Sequence, residues 1–174
     1  RLGTGDDSSI FNDGSNLYIK NNTSNQDIIF QGNDDGSTGT TVLTLDMSAA
    51  GKAAFNAGAT FGASVTAETD TDTSNTGNVT LDYAAHQNFV LTLTGNTTLV
   101  NPTTEVVGQS GFISFIQDGT GSRVLSVGDQ YFCAGGAVIV LSTAANSIDI
   151  VPYVVIAAGK VCLGAPQLAF ADAS

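Results

Sequence analysis

Residues 55–67 read Phe-Asn-Ala-Gly-Ala-Thr-Phe-Gly-Ala-Ser-Val-Thr-Ala, and this stretch says most about how the chain folds. Apolar residues occupy every second position, with polar residues or glycine between them. Alternation over this length indicates an extended chain with one buried face. The apolar positions are Phe55, Ala57, Ala59, Phe61, Ala63, Val65 and Ala67.

Alanine fills four of these seven apolar positions, so the surface that covers them must approach closely. A narrow core shared between chains fits such a face. The candidate core and assembly face therefore consists of Phe55, Ala57, Ala59, Phe61, Ala63 and Val65. An ordinary strand pair within one domain is the alternative interpretation.

The residues before this stretch hold short apolar groups separated by turns. Asn12-Asp13-Gly14-Ser15-Asn16 and Asn33-Asp34-Asp35-Gly36 are the two clearest turn signals. Asp-Gly tolerates the positive φ of tight turns, so both predict hairpins. A two-stranded hairpin buries too little surface to be stable alone. Residues 1–67 are thus expected to form a shaft-like β region that something else covers.

Two further regions follow. Residues 68–78 lack any large apolar side chain, which predicts a polar linker. Beyond it, the runs 112–116, 137–141 and 151–157 are apolar on both parities, which predicts strands buried on both faces, in a sandwich core or at an interface. Turn signals recur about every 8–12 residues there, so residues 79–174 are expected to form a jelly-roll-like β-sandwich. The expected fold class is all-β.

Charge excludes some partners. The 174 residues carry 16 acidic and 5 basic side chains, a formal charge of −11. Nucleic acids and anionic membranes need clustered basic residues, so neither is an expected partner. No run of about 20 apolar residues is present, so membrane insertion is not expected either. The first residue is Arg1 and not Met, which suggests a processed chain or a segment of a longer one.

Few residues suggest a metal or phosphate site. Asp70 and Asp72 alternate along the chain as oxygen ligands of calcium do, which makes them weak metal candidates. The full loop pattern also needs Gly and Glu where Asn75 and Leu81 stand, so a solvated acidic turn is favoured. Residues 118–122, Asp-Gly-Thr-Gly-Ser, predict a turn because no strand-loop-helix context follows. No cofactor is expected.

Catalysis has little support in the sequence. His86 is the only histidine, and it stands in a polar turn before a strand. No Gly-x-Ser-x-Gly elbow is present, and no pair of acids is singled out for glycoside hydrolysis. The chain is therefore not expected to be an enzyme. Cys133 and Cys162 stand in apolar runs, which favours buried free thiols, with a disulfide as the alternative.

The sequence resembles tail-fibre-like virion structural proteins of tailed bacteriophages, especially those of marine phages. Residues 8–19, Ser-Ser-Ile-Phe-Asn-Asp-Gly-Ser-Asn-Leu-Tyr-Ile, resemble the hairpin repeat of such fibres, with Phe11-Asn12 where Tyr-His is common. Residues 43–56 resemble their shaft segments. Residues 88–93, 111–113 and 117–122 resemble their terminal domains.

The resemblance implies an acidic homotrimer that presents a surface for host attachment. Its partners would be other copies, other virion proteins and cell-surface carbohydrate. It would be made in the host cytoplasm and carried on the virion, an extracellular particle. Two structural alternatives stay open: a self-assembling extracellular filament subunit that shares strands between copies, and a capsid decoration protein. A polysaccharide depolymerase is the enzymatic alternative.

Overall fold

The computed structural model describes residues 7–171 of the chain. Contacts within it divide the chain after Ser64 into an N-terminal unit and a C-terminal unit. The predicted boundary, after residue 67, lies three positions further along the chain. All-β is confirmed as the fold class, since strands account for almost all of the regular structure and a single 3-10 turn at Ala134–Gly136 is the exception.

The N-terminal unit contains two small antiparallel sheets. Its strands are β1 (Ser8–Asn12), β2 (Leu17–Asn21), β3 (Ile28–Asp34), β4 (Ser37–Asp46) and β5 (Lys52–Phe55). The first two strands pair with each other, and the other three form a sheet in the order β3-β4-β5. Both predicted hairpins are present.

Side-chain oxygens shape the turns of these hairpins. Between β1 and β2, one carboxylate oxygen of Asp13 accepts hydrogen bonds from the backbone N–H groups of Ser15 and Asn16. Between β3 and β4, Asp35 and Gly36 adopt φ values of 47° and 84°, as a mirror-image hairpin turn requires. Local turn chemistry thus accounts for both hairpins.

Burial separates the two units sharply. In the described part of the N-terminal unit, residues 7–64, no residue is fully buried. The rings of Phe11 and Tyr18 stack with centroids 4.8 Å apart, yet the two residues remain 45% and 39% exposed. The N-terminal unit therefore has hairpins and turns but no hydrophobic core of its own.

The C-terminal unit contains one eight-stranded sheet. Its strands are β6 (Thr69–Val79), β7 (Asn88–Leu99), β8 (Ser110–Gln117), β9 (Leu125–Val127), β10 (Tyr131–Cys133), β11 (Ile148–Ala157), β12 (Lys160–Leu163) and β13 (Gln167–Phe170). The main path runs β10-β12-β11-β8-β7-β6, with β13 beside β11 and β9 beside β7. β7 is parallel to β6, β8 and β9, whereas β11 is antiparallel to β8 and β12. Two stacked sheets were expected, so the sandwich is not confirmed.

The predicted linker is wrong, because Thr69–Val79 forms β6. This strand pairs in parallel with β7 at the end of the sheet. Its backbone supplies the pairing, and all but three of its side chains are exposed, so its composition looks like that of a loop. Asn75 is the buried exception: its side-chain N–H₂ donates to the carbonyls of Asp72 and Thr92 and bridges a register shift between the strands.

The core lies on one face of the eight-stranded sheet. Along β7, Phe89, Leu91 and Leu93 are buried, and along β11 Val151 and Val155 are buried, with less buried residues between them. This is the period of two that a sheet with one covered face produces. The remaining apolar core residues are Leu81, Tyr83, Leu99, Ile113, Phe115, Leu125, Tyr131, Ile139, Leu141, Tyr153, Val161 and Leu163.

Asp149 is a buried carboxylate in this core, with only 1% of its surface exposed. One oxygen accepts hydrogen bonds from the Ser142 hydroxyl at 2.7 Å and the Ala169 N–H at 2.8 Å. The other oxygen accepts from the Ser142 N–H at 2.6 Å. The side chain therefore ties the segment before β11 and the last strand, β13, to the middle of the sheet.

We expect Asp149→Asn to destabilise the chain by about 1–3 kcal/mol, the usual range for leaving a buried polar group unsatisfied. An amide keeps one acceptor oxygen, but its N–H₂ group would face a backbone N–H of Ser142 or Ala169. Urea unfolding at fixed chain concentration measures the change. Asp35→Asn, at an exposed turn, is the matched control, and equal stability of the two variants would contradict the assigned role of Asp149.

The loop 118–123 is held by an ion pair. Arg123 donates to Asp118 at 2.7 Å, and the N–H groups of Thr120 and Gly121 donate to the same carboxylate. Arg123 first, and then these backbone groups, lower the pKa of Asp118 to about 2 from its ordinary value of 3.8. The predicted turn is confirmed, and its charge serves to close the loop.

This shift makes loop stability depend on pH. A depressed carboxyl pKa stabilises the folded state above pH 3.8, and that contribution is lost as the pH falls towards about 2. We expect Asp118→Asn to lower the melting temperature at neutral pH, and we expect its difference from wild type to shrink towards zero near pH 2. Thermal melts from pH 2 to 7 test this, and a difference independent of pH would refute it.

Candidate assembly surfaces

The predicted assembly face begins where the N-terminal sheets end. Phe55 is the last residue of β5, opposite Leu43 of β4. From residue 58 to residue 68 the chain joins no strand ladder among the described residues. Phe55, Ala57, Ala59, Phe61, Ala63 and Val65 are all exposed. A single chain therefore displays the alternating apolar pattern without covering it.

The first hairpin is apolar on both faces. Ile10 is paired with Ile19, and the next pair along the ladder is Phe11 with Tyr18. Successive pairs in a ladder project to opposite faces, so each face carries a large apolar pair. All four side chains are exposed in the single chain. Both faces of this hairpin thus present surface that water covers poorly.

The same pattern continues through the rest of the N-terminal unit. Its other exposed large apolar side chains are Leu17, Ile29, Phe30, Val42, Met47, Phe55 and Phe61. A groove of about 520 Å³ lies beside β4, with Val42 and Phe55 among its apolar lining residues and Asn33, Asp34 and Asn56 among its polar ones. Large exposed apolar surface of this kind marks an interaction site.

The C-terminal sheet also has an apolar outer face. Phe112 of β8 lies opposite Pro152 of β11, and Val154 of β11 lies opposite Cys162 of β12. These side chains belong to the parity that alternates with the buried core residues, and Phe112, Pro152 and Val154 are exposed. The prediction that 112–116 and 151–157 are buried on both faces is therefore only partly correct for a single chain: Ser114 is buried as well as Ile113 and Phe115, but Pro152, Val154 and Ile156 are exposed.

The two cysteines lie on neighbouring strands but on opposite faces. Cys133 is level with Leu163 and packs against the core, whereas Cys162 is level with the exposed Phe132. Both are free thiols and both are half-buried, so the expected burial is only partial. Burial raises the pKa of the Cys133 thiol, which keeps it protonated near neutral pH.

The acidic candidates for a metal site lie on an outer strand. Asp70 and Asp72 are two residues apart on β6, and one oxygen of Asp72 accepts a hydrogen bond from the Ser74 N–H at 3.0 Å. Across residues 7–171, no three His, Cys, Asp or Glu side chains gather as metal ligands would. His86 is half-buried before β7, with its ring edge towards Phe89.

A tyrosine cluster that the sequence did not single out lies at the edge of the core. The Tyr83 ring meets Phe89 and Tyr153 edge-on, at centroid distances of 5.1 Å and 5.2 Å. Burial raises the pKa of Tyr131 and of Tyr153 to about 12, and raises that of Tyr83 further. All three hydroxyls stay neutral at physiological pH. The three rings pack in the core, and the Tyr153 hydroxyl donates to the Gln87 carbonyl at 2.6 Å.

The sequence could not have revealed this cluster, because buried and exposed tyrosines look alike in it. The assembly surfaces did leave a signal, namely apolar residues on both parities of short strands and the alternation in 55–67. That signal locates apolar surface without saying whether the same chain covers it.

Among the described residues, no helix is both long enough and apolar enough to cross a membrane.

Comparison with known proteins gives one match. Residues 76–161 match a family model described as "putative phage tail fibre C-terminal domain". No curated protein and no solved structure shows a significant match. The matched region includes β7–β11 in full, and so most of the strands that build the C-terminal core. Together with the all-β architecture, this match supports a phage tail-fibre-like protein.

Proposed function

We propose that the chain is a homotrimeric tail-fibre-like component of the virion that presents a surface for attachment to a host cell. One observation carries the oligomeric part of this proposal: no residue in the described N-terminal unit is fully buried. Folding such a unit alone would order its backbone without enough apolar burial to compensate. Other copies of the chain would supply the missing contacts.

The exposed apolar side chains of the N-terminal unit could supply the contacts between copies. Covering a side chain such as Phe, Ile or Leu contributes about 1.5–3 kcal/mol. The N-terminal unit exposes large apolar side chains from Ile10 to Phe61, on both hairpins and in the segment after β5. Covering these positions with a second and third copy would give the unit the core it lacks.

The alternation in 55–65 suits a shared axis. Phe55 and Phe61 would fill the space between chains, while Ala57, Ala59 and Ala63 would allow the backbones to approach closely. A closed ring of three also leaves no strand edge free at the axis, which avoids uncontrolled pairing. This face is the part of the trimer that we propose to be central.

Charge sets a condition on this assembly. Each copy carries a formal charge of −11, so bringing three together adds repulsion that salt screens. Residues 53–67 contain no charged side chain, so this contact can form without burying a carboxylate. We therefore expect the trimer to be more stable at moderate salt than at very low salt.

The role proposed for the C-terminal unit is adhesive and mechanical, not catalytic. Its core is complete within one chain, so it can keep its shape while its loops meet a partner. Those loops include Thr, Asn and Asp side chains, which can exchange hydrogen bonds with the hydroxyl groups of a sugar. Cell-surface carbohydrate is the partner we propose for host attachment, with other virion proteins as partners within the particle.

Native mass tests the trimer. We expect light scattering of the purified chain to give a mass near three times 17.7 kDa that persists on dilution. A monomer would refute the shared axis. A very large, concentration-dependent mass would instead support the alternative of a filament that shares strands between copies, because a heterologous contact that does not close gives an open polymer.

Substitution within the proposed face sharpens the test. Val65→Asp and Val107→Asp place the same charge at valines that are 67% and 62% exposed. We expect only Val65→Asp to shift the mass towards the monomer, because only that carboxylate would have to be buried between chains. Equal masses for both variants and wild type would mean that Val65 lies outside the contact.

A further inference from the structure

Residues 137–141, Ala-Val-Ile-Val-Leu, show the burial pattern of a strand but do not belong to one. Val138 and Val140 are 81% and 66% exposed, while Ile139 and Leu141 lie in the core at 8% and 7%. This alternation is that of an extended chain seated on the core along one side. Strand pairing was expected here, yet within residues 7–171 the segment joins no ladder, so that prediction is wrong for a single chain.

The backbone of this segment lacks hydrogen-bond partners. Among the described residues, no hydrogen bond involves a backbone group of Val138, Ile139, Val140 or Leu141. The bonds resume at the two ends, where Ala137 donates to the Ala134 carbonyl and Ser142 donates to Asp149. Four successive N–H groups and four C=O groups are thus left in place without a partner.

The ends and the buried side chains hold this segment in position. Asp149 accepts two hydrogen bonds from Ser142, and Ile139 and Leu141 pack in the core. The unpaired backbone is therefore fixed and does not need to be ordered when a partner arrives. Such preorganisation removes much of the entropic cost of binding.

There is open space on both sides of the segment. A groove of about 300 Å³ separates it from residues 122–126, which include the start of β9. A second groove, of about 180 Å³, separates it from residues 163–166 at the end of β12. Each groove is bounded partly by the segment itself, so open space lies on both sides of the unpaired groups.

The usual protection of an exposed edge is missing here. Proteins guard free edges with charged residues, proline or bulges. Residues 130–148 contain no charged side chain and no proline. Arg123, in the wall of the larger groove, is already paired with Asp118. The segment is an uncharged, apolar edge that is open to main-chain pairing.

We propose that residues 137–141 form a docking edge for a β-strand from a second copy of this chain, which pairs with the free backbone groups and covers Val138 and Val140. The inference rests on the proposed homo-oligomer, because copies held together elsewhere meet this edge at high effective concentration. The edge is uncharged although the chain carries −11, so a strand from an identical copy can pair without charge repulsion at the contact. In a ring of three, the edge meets a different edge of its neighbour, since pairing with itself would produce a twofold contact.

Amide hydrogen exchange on the full chain tests this directly. In the assembled protein, we expect the amides of 138–141 to exchange at least about tenfold more slowly than in the unfolded chain, because pairing protects them. Mass spectrometry of peptides that span residues 134–144 measures how slowly these amides exchange. In a single chain these amides have no acceptor, so rapid exchange within a trimer of correct mass would overturn the docking edge and leave the proposed trimer intact.

A pair of double variants provides the control. Val138→Lys with Val140→Lys should remove the protection of 138–141, because two ammonium groups would flank the incoming strand. Val106→Lys with Val107→Lys adds the same charge at valines that are 54% and 62% exposed in the same unit, and should leave the protection unchanged. If both double variants lost the protection, or if neither did, the proposed docking edge would be overturned. A monomeric wild type would refute the proposed trimer and this inference together.

Discussion

The hydrophobic effect favours burial of alternate apolar residues along the strands of this molecule. The two units differ in whether a single chain buries them. In the C-terminal unit, one parity of β7 and β11 lies in a core that the same chain completes. In the N-terminal unit the strands are as regular, yet none of the described residues is fully buried. Strand pairing alone stabilises little, so we propose that the N-terminal unit gains its missing contacts from other copies of the chain.

The difference between the units follows from strand number and length. Strands β7 and β11 have 12 and 10 residues and lie among neighbours on both sides, so they present wide apolar faces for covering. Most strands in the N-terminal unit are shorter, and its sheets have two and three strands. A sheet that narrow cannot fold over its own apolar face. The proposed assembly of copies would cover that face without lengthening the chain.

Local chemistry in the sequence predicted the all-β class and the two hairpins, because Asp-Gly turns act without distant contacts. Predictions from local chemistry failed where backbone pairing with a neighbouring strand alone decides whether a segment is a strand. Residues 69–79 form a strand although their side chains resemble a loop, since the edge of a sheet needs backbone and not apolar side chains. Residues 137–141 have the side chains of a strand but no partner within the described chain. The apolar face at 55–65 was visible, but a sequence does not say which chain covers it.

Charge placement shows how such a molecule can assemble without aggregating. With 21 charged residues in 174, long uncharged stretches are few: residues 53–67, 83–104 and 130–148. Elsewhere the acidic surface repels other copies in every orientation that brings carboxylates together. Contact is therefore favoured only where an uncharged apolar stretch meets another. In the proposed assembly, the same acidic excess that weakens non-specific association would direct the apolar surfaces towards a small number of specific contacts.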